Sequence, residues 1–110
     1  MKNAIKDVDG IFLSVDIDVV DPGSAPGTGT PEPGGLTSRQ LLAAVRKISI
    51  ELPVVGMDVV EVAPAYDHAE ITALLANRVV LEALSGIAAR RKALKDGKTV
   101  NHARQLLEDR

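Results

Sequence analysis

The sequence has no cysteine and no tryptophan, and Phe12 and Tyr66 are its single phenylalanine and single tyrosine. Without cysteine, the chain cannot form a disulfide, a thiolate metal site or a cysteine nucleophile. Two aromatic rings are too few to build a surface on which nucleic-acid bases stack. A formal net charge of -2 at pH 7 also gives no electrostatic reason to bind nucleic acid or an anionic membrane. We therefore expect neither as a partner.

Long apolar runs are missing as well. No stretch approaches the roughly 20 apolar residues of a membrane span, and residues 1–10 lack the apolar centre of a signal peptide. We therefore predict a cytoplasmic protein. The composition suits one small folded domain, because 45% of the 110 residues are hydrophobic and 25% are charged, which are ordinary values for a globular chain.

The stretch with the most chemical information is residues 11–35, IFLSVDIDVVDPGSAPGTGTPEPGG. Its apolar start predicts a buried strand over residues 11–18. A side-chain period of two then puts Asp16 and Asp18 on one face, roughly 6.5–7 Å apart along the backbone. Two adjacent carboxylates repel each other and are costly to desolvate, whereas a bound divalent cation removes both costs. Oxygen ligands suit Mg²⁺, Ca²⁺ or Mn²⁺, so the pair predicts a metal site.

The rest of this stretch predicts a shaped loop. Residues 22–35 contain four prolines and five glycines, which restrict some backbone angles and free others. Because long loops inside compact domains are usually functional, we favour a loop that lines a pocket over a flexible linker. Asp21 precedes Pro22, so we predict that it forms an Asx turn and is not a metal ligand.

The order of the next elements predicts an α/β fold. A helix is expected over residues 37–51, because Thr37 is a good N-cap and Gln40 stands at the capping-box position. A second buried strand is expected over residues 54–63. A strand, a crossover helix and a second strand make a βαβ unit with parallel strands.

A second helix is expected over residues 67–92, where Asp67 can act as its cap. The resulting βαβα order defines a domain over residues 1–92. Residues 93–110 are predicted to form a polar tail, with space for one short helix over residues 100–110.

Two segments carry a family resemblance. SVDIDVVDP followed by APGTGTPEPGG resembles the third signature segment of the ureohydrolases, the arginase and agmatinase family. GMDVVEVAPAYDHAEITA, residues 56–73, resembles the next block and is closer to agmatinase than to arginase. The resemblance runs from about residue 11 to residue 92. It implies an arginase-like, three-layer α/β/α fold with a parallel sheet, and a binuclear manganese centre that activates water to hydrolyse a guanidinium group.

The resemblance also implies roles for individual residues. Asp16 and Asp18 fall on the positions of two manganese ligands, and Glu61 falls on that of the glutamate that holds the substrate guanidinium. From the residues alone, Glu61 lies near the end of the second predicted strand, at the edge where parallel sheets bind ligands. A carboxylate also matches a planar guanidinium in a bidentate pair. The alternative for Glu61 is an ion pair with a neighbouring Arg or Lys. Asp58 is expected on the other face as a buried structural acid, and His68 at the surface.

The resembled family has two earlier metal-binding blocks, a GGDHS-like and a DAHxD-like segment, which have no counterpart in this sequence. Two carboxylates are too few for a tightly held binuclear site. We therefore expect the C-terminal portion of an agmatinase-like enzyme, inactive alone, whose substrate is agmatine (giving putrescine and urea) or another small guanidino compound.

Two alternatives stay open. The chain is one half of a split enzyme, completed by a complementary chain that supplies the missing ligands, or it is a non-catalytic remnant that binds a full-length homologue. Because missing strands leave a bare sheet edge, we also predict self-association or poor solubility of the isolated chain, with a homo-oligomer as one form.

Overall fold

The computed structural model of the protein describes residues 5–98. The elements are two strands, two long helices and two short 3-10 turns, in the order β1 (Ile11–Asp16), a 3-10 turn (Ile17–Val19), α1 (Ser38–Glu51), β2 (Val54–Val60), a 3-10 turn (Pro64–Tyr66) and α2 (Ile71–Lys95). The predicted βαβα order is confirmed. The short helix predicted for residues 100–110 lies outside the described residues.

The two strands pair in parallel, as predicted. Their register runs from Ile11 opposite Val54 to Asp16 opposite Val60, with one irregularity next to Ile11. Because parallel strands run in the same direction, their carboxyl ends meet at one edge of the sheet. That edge holds Asp16 and the residues that follow Val60.

Both strands are shorter than predicted. β1 ends at Asp16 and not at residue 18, and β2 ends at Val60 and not at residue 63. The first strand stops because the Asp16 carboxylate accepts the backbone N–H of Asp18 at 3.2 Å and turns the chain into a 3-10 turn. The prediction that Asp16 and Asp18 share one face of a strand is therefore wrong, although the two residues remain neighbours.

The core lies between one face of the sheet and the two helices. Its buried members come from the end of β1, the turn that follows it, the Gly/Pro loop and both helices: Val15, Ile17, Val20, Ala25, Leu41, Val45, Leu75, Val79 and Ala83. The partly buried Met57 and Val59 of β2 pack against them. The other face of the sheet is open among the described residues, and Phe12 and Val55 on it are 62% and 76% exposed.

α1 begins with the predicted capping box. The Thr37 hydroxyl accepts the N–H of Gln40, and the Gln40 side chain accepts the N–H of Thr37. At the other end of α1, the Arg90 guanidinium of α2 donates to the carbonyls of Ile50 and Glu51 at 3.2 and 3.0 Å. Two carbonyls that have no partner inside α1 are thereby satisfied from the neighbouring helix.

α2 begins four residues later than predicted. Its N-cap residue is Glu70, which has a left-handed backbone. Asp67 nevertheless caps the helix from a distance, because its carboxylate accepts the N–H groups of Thr72 and Ala73 at 3.1 and 3.0 Å. The helix continues past residue 92, where the domain was predicted to end.

The end of α2 is set by Gly97, whose φ is 69°. Its N–H donates to the carbonyl of Leu94, and the N–H of Lys98 donates to that of Ala93. This is the Schellman arrangement, which requires a left-handed residue that glycine supplies without steric cost.

By length and composition alone, α2 is apolar enough to cross a membrane, with a mean hydropathy of 1.5 over its best 18-residue window. Core helices of folded domains pass the same test. Here α2 packs on α1, and its Glu82 is buried and bonded to Arg46 of α1 and to Arg78. These contacts fix one side of α2 against α1, and 33% of the apolar window is buried.

Candidate functional site

The three acids singled out by the sequence lie at the carboxyl end of the sheet. Asp16 ends β1, Asp18 lies in the turn that follows, and Glu61 comes directly after Val60, the register partner of Asp16. Their side chains do not form a three-ligand cluster. Within residues 5–98 there is no group of three Asp, Glu, His or Cys side chains that could hold a metal ion.

Asp16 and Asp18 each have one carboxylate oxygen engaged. Asp16 Oδ1 accepts the N–H of Asp18 at 3.2 Å, and Asp18 Oδ2 accepts the hydroxyl of Thr30 at 2.8 Å. In the described part of the chain, Asp16 Oδ2 and Asp18 Oδ1 accept no hydrogen bond. The pair therefore presents two neighbouring carboxylates, each with a free oxygen.

Asp21 holds the two ends of the Gly/Pro loop together. Its carboxylate accepts the N–H of Gly23 at 2.9 Å and that of Gly34 at 3.0 Å. These two bonds, the first above all, lower the pKa of Asp21 below its usual range. The predicted Asx turn is confirmed, and the same side chain also closes the loop from its far end.

The backbone reinforces that closure. Val20 and Leu36 form a parallel bridge, in which Asp21 N–H donates to Leu36 O and Leu36 N–H donates to Val19 O. Gly35 lies so close to this bridge that an added Cβ would stand 2.6 Å from Asp21 N. Residues 22–35 therefore form a shaped loop, as predicted, and not a flexible linker.

The middle of the loop is fixed to the second half of the chain. Gly27 N–H donates to the Thr72 hydroxyl at 2.8 Å, and Gly27 O accepts the N–H of Ala63 at 2.8 Å. Next to it, Thr28 is 2% exposed and its hydroxyl has no partner among the described residues. The loop thus joins the segment that follows Glu61 to the start of α2.

Asp67 stabilises this junction. Burial raises its pKa, but the hydrogen bonds from Ala73, Thr72 and His68 outweigh that effect, so the pKa of Asp67 lies below its ordinary value. Asp67 therefore stays charged where it caps α2. His68 is exposed, as predicted, and contributes only its backbone N–H to this cluster.

Glu61 is exposed and has a backbone φ of 68°. A non-glycine residue rarely adopts this left-handed conformation, and such outliers cluster at functional sites. Among the described residues Glu61 forms no ion pair, so the alternative of a structural salt bridge with a nearby Arg or Lys finds no support there.

The prediction for Asp58 is wrong. The residue is exposed, and it stands in β2 opposite Ser14, which is also exposed. It was expected to be buried because parallel sheets are normally covered on both faces. In the described chain no element covers the face that carries Asp58.

The clefts of the described region do not contain the acids as a group. A cleft of about 280 Å³ runs along the open edge of β1, is mostly apolar, and includes Asp16. Another, of about 390 Å³, lies between the helices near Arg39 and Glu82. Neither of these two clefts is lined by Asp18, Glu61 or a residue of the Gly/Pro loop.

The sequence did not predict the side-chain contacts of Thr30 and Thr72; for Thr30, bonding to the backbone of a turn was expected over contact with a substrate. Both are threonines whose hydroxyl bonds a distant part of the chain, Asp18 in one case and Gly27 in the other. For Thr30, the only indication in the sequence was its position within the Gly/Pro loop. For Thr72, there was no indication in the sequence.

Comparison with known proteins identifies the class of this fold and site. The profile of the arginase family matches residues 1–86, which include both strands, the Gly/Pro loop and most of α2. The chain belongs to the arginase family of ureohydrolases, which are hydrolases. The likeness of the resolved elements to solved arginase-family structures confirms the arginase-like α/β fold.

Three similar proteins show how much of this chain, and how much of each relative, the similarity covers. Proclavaminate amidinohydrolase of Streptomyces clavuligerus is 57% identical over 74 residues, 67% of this chain and 23% of that protein. Agmatinase of Bacillus subtilis is 52% identical over 77 residues, 69% of this chain and 27% of that protein. The structure of formimidoylglutamase from Bacillus subtilis superposes with a TM-score of 0.71 at 43% identity, covering 74% of this chain and 26% of that one. The chain thus spans about a quarter of the length of these relatives.

Proposed function

We propose that this chain is the part of a guanidino-compound hydrolase that carries two metal ligands and the guanidinium-binding carboxylate. The observation behind the proposal is the placement of Asp16, Asp18 and Glu61 at the ends of two paired parallel strands, in a chain of the arginase family. Agmatine is the first substrate to test, because agmatinases are among the relatives at 52% identity or more. Other amidino substrates follow from the likeness to proclavaminate amidinohydrolase.

Asp16 and Asp18 suit manganese in their chemistry. Each has a carboxylate oxygen that is free of hydrogen bonds from the described residues, and Mn²⁺ accepts oxygen ligands. Two carboxylates supply only part of a coordination shell, and no third acidic or histidine side chain joins them within residues 5–98. When bound, the metal pair would supply an activated water at neutral pH.

Glu61 is suited to hold the substrate. Its carboxylate is exposed and takes part in no ion pair in the described region, so both oxygens are available to the paired N–H groups of a guanidinium. Because its backbone is fixed just beyond β2, the side chain starts from the same edge of the sheet as the two aspartates. Glu61 would orient the guanidinium carbon towards the aspartate pair.

A complementary chain is the second candidate role, and one observation favours it. The sheet has only two strands in residues 5–98, one of its faces is open, and Phe12 and Val55 are exposed on that face. A parallel sheet is normally covered on both faces, above all where apolar side chains such as these two are exposed. If the chain is half of a split enzyme, a partner that carries the remaining metal ligands would cover this face and complete the site. If the chain is a non-catalytic remnant, a full-length homologue would cover the face, and the chain would act on it as a regulator. The cytoplasmic location stays a prediction.

The test is urea release from agmatine with Mn²⁺. We expect none from the 110-residue chain alone, and Mn²⁺-dependent release when it is combined with a segment that supplies the first three quarters of an agmatinase. In that completed enzyme, Asp16→Asn with Asp18→Asn should remove both metal and activity. Glu61→Gln should keep the metal and reduce kcat/KM by about 100-fold or more, since a charged pair that carries roughly 3 kcal/mol is lost.

Asp96→Asn is the matched control, because it removes the charge of an exposed acid at the end of α2, away from the carboxyl edge of the sheet. It should alter neither metal content nor urea release. Strong urea release by the unassisted chain would refute the incomplete site, and an unimpaired Glu61→Gln enzyme would remove Glu61 from the substrate site.

A further inference from the structure

We propose that Thr30 is a positioning residue for Asp18, whose carboxylate it holds in one orientation for binding the metal. The inference rests on the proposed function, since it gives Thr30 a purpose only if Asp18 is a ligand. It goes further because it assigns a role to the tip of the Gly/Pro loop.

The contact itself is short and specific. Thr30 Oγ1 donates to Asp18 Oδ2 at 2.8 Å, across twelve residues of chain. A hydrogen bond to one carboxylate oxygen fixes the rotation of the group, and the lone pairs that this bond does not use remain available to an ion. Partners of this kind orient metal ligands, and their removal typically costs about 10–100-fold in metal affinity.

Asp16 holds the backbone of the turn that carries Asp18. Its Oδ1 accepts the N–H of Asp18 at 3.2 Å, so the backbone of Asp18 is bonded on one side while Thr30 holds its side chain on the other. The remaining two oxygens, one on each aspartate, are those that the described residues leave free. The arrangement therefore fixes the orientation in which the two carboxylates would meet an ion.

Thr30 is itself held by the loop on both sides. On one side, Gly27 is bonded to Thr72 and Ala63. On the other, Gly34 is bonded to the Asp21 carboxylate. Because Thr30 is exposed, its hydroxyl has water as an alternative partner, and these two anchors are what keep it within reach of Asp18.

A second threonine in the same loop provides the contrast. Thr28 has a buried hydroxyl with no partner among the described residues, so its side chain fills space and holds nothing in place. The substitutions Thr30→Val and Thr28→Val remove the same hydroxyl, with the same change of shape, two residues apart. Only the first should affect the metal.

The experiment measures Mn²⁺ affinity without substrate, in the 110-residue chain and in the completed enzyme. The readout is paramagnetic broadening of the backbone amide signals near Asp18 as Mn²⁺ is added. Thr30→Val should weaken Mn²⁺ binding by roughly tenfold, at the low end of the usual range because the bond is exposed. Thr30→Ser keeps the hydroxyl and should stay within about twofold of the unaltered chain, as should Thr28→Val.

The outcomes separate the two ideas. If Asp18→Asn abolishes the broadening while Thr30→Val leaves the affinity unchanged, Thr30 does not position Asp18 and the proposed function stands. Equal losses in Thr30→Val and Thr28→Val would also overturn the inference, because a general loosening of the loop would then explain both. If Asp18→Asn binds Mn²⁺ as well as the unaltered protein, the proposed metal site fails and the inference fails with it. Melting temperatures of all variants show whether each one is folded.

Discussion

Glu61 has the most unusual backbone of the three candidate site residues. Its φ of 68° places it where glycine is comfortable and where a side chain costs roughly 1–2 kcal/mol. A glycine there would fold more easily, but it would supply no carboxylate. The strain is therefore the kind that a site tolerates for the sake of one side chain.

This strain predicts a difference between two truncations of Glu61. Glu61→Gly relieves the left-handed conformation, whereas Glu61→Ala keeps it. We expect the glycine variant to be more stable than the alanine variant by about 1 kcal/mol, with neither supporting urea release in the completed enzyme. Equilibrium unfolding of both variants measures the difference. If alanine is as stable as glycine, the backbone of Glu61 carries no strain.

Single residues were predictable where the reason was local. The capping box of Thr37 and Gln40 and the Asx turn of Asp21 are read from neighbours within a few positions, and both are present. Asp58 was mispredicted because its burial depends on elements beyond its own strand. The bond from Thr30 to Asp18 depends on how a long loop folds back, which no periodicity in the sequence records.

At the scale of elements, the close approach of α1 and α2 depends on Gly86. A Cβ added at Gly86 would stand 2.6 Å from the Cβ of Ser49 and 3.0 Å from the carbonyl of Arg46. Beside this contact, Glu82 is bonded to Arg46 of α1 and Arg78 of its own helix. The helices are thus held together by the close contact at Gly86 and by the ion pair between Glu82 and Arg46.

Gly86→Ala should therefore destabilise the protein. In an ordinary helix the change from glycine to alanine stabilises by about 1 kcal/mol, but here the new methyl group forces α1 and α2 apart, at a cost of roughly 1–3 kcal/mol. Calorimetric melting measures the loss. Gly29→Ala is the control, because a Cβ there meets nothing within 4 Å. A Gly86→Ala variant that melts at or above the original temperature would show that the helices are not in close contact.

The elements themselves were predicted in type and order, but not at their ends. β1 stops early because the Asp16 side chain captures a backbone N–H, and α2 starts late because Asp67 caps it across an intervening turn. In the same way, the pairing of Arg46 in α1 with Glu82 in α2 cannot be predicted from the pattern of either helix alone. Each difference comes from a side chain that acts beyond its own element.

For the whole molecule, the described region is a sheet of two strands covered on one face. Relatives of the arginase family are about four times as long as the matched segment, and the open face is the one that carries Phe12 and Val55. Leucines are also exposed along α2, among them Leu74, Leu81 and Leu84. A protein that exposes these apolar side chains on two surfaces gains by covering them.

We expect the isolated chain to self-associate at tens of micromolar. Val55→Lys should reduce this association if the open sheet face is responsible, because a charge at the centre of an apolar contact must be desolvated. Leu84→Lys tests the surface of α2 in the same way. Sedimentation velocity gives the distribution of species. A single monomeric species that melts cooperatively would contradict the prediction.

The bonds of Gly27 have a consequence for the inheritance of this segment. Its N–H and carbonyl reach Thr72 and Ala63, so the loop after the aspartates is fitted to anchors that lie beyond Glu61. A recombination point between residues 27 and 72 would combine a loop from one parent with anchors from another. Functional chimaeras between ureohydrolases should therefore exchange residues 16–73 as one block, and the aspartate pair and its glutamate should descend together.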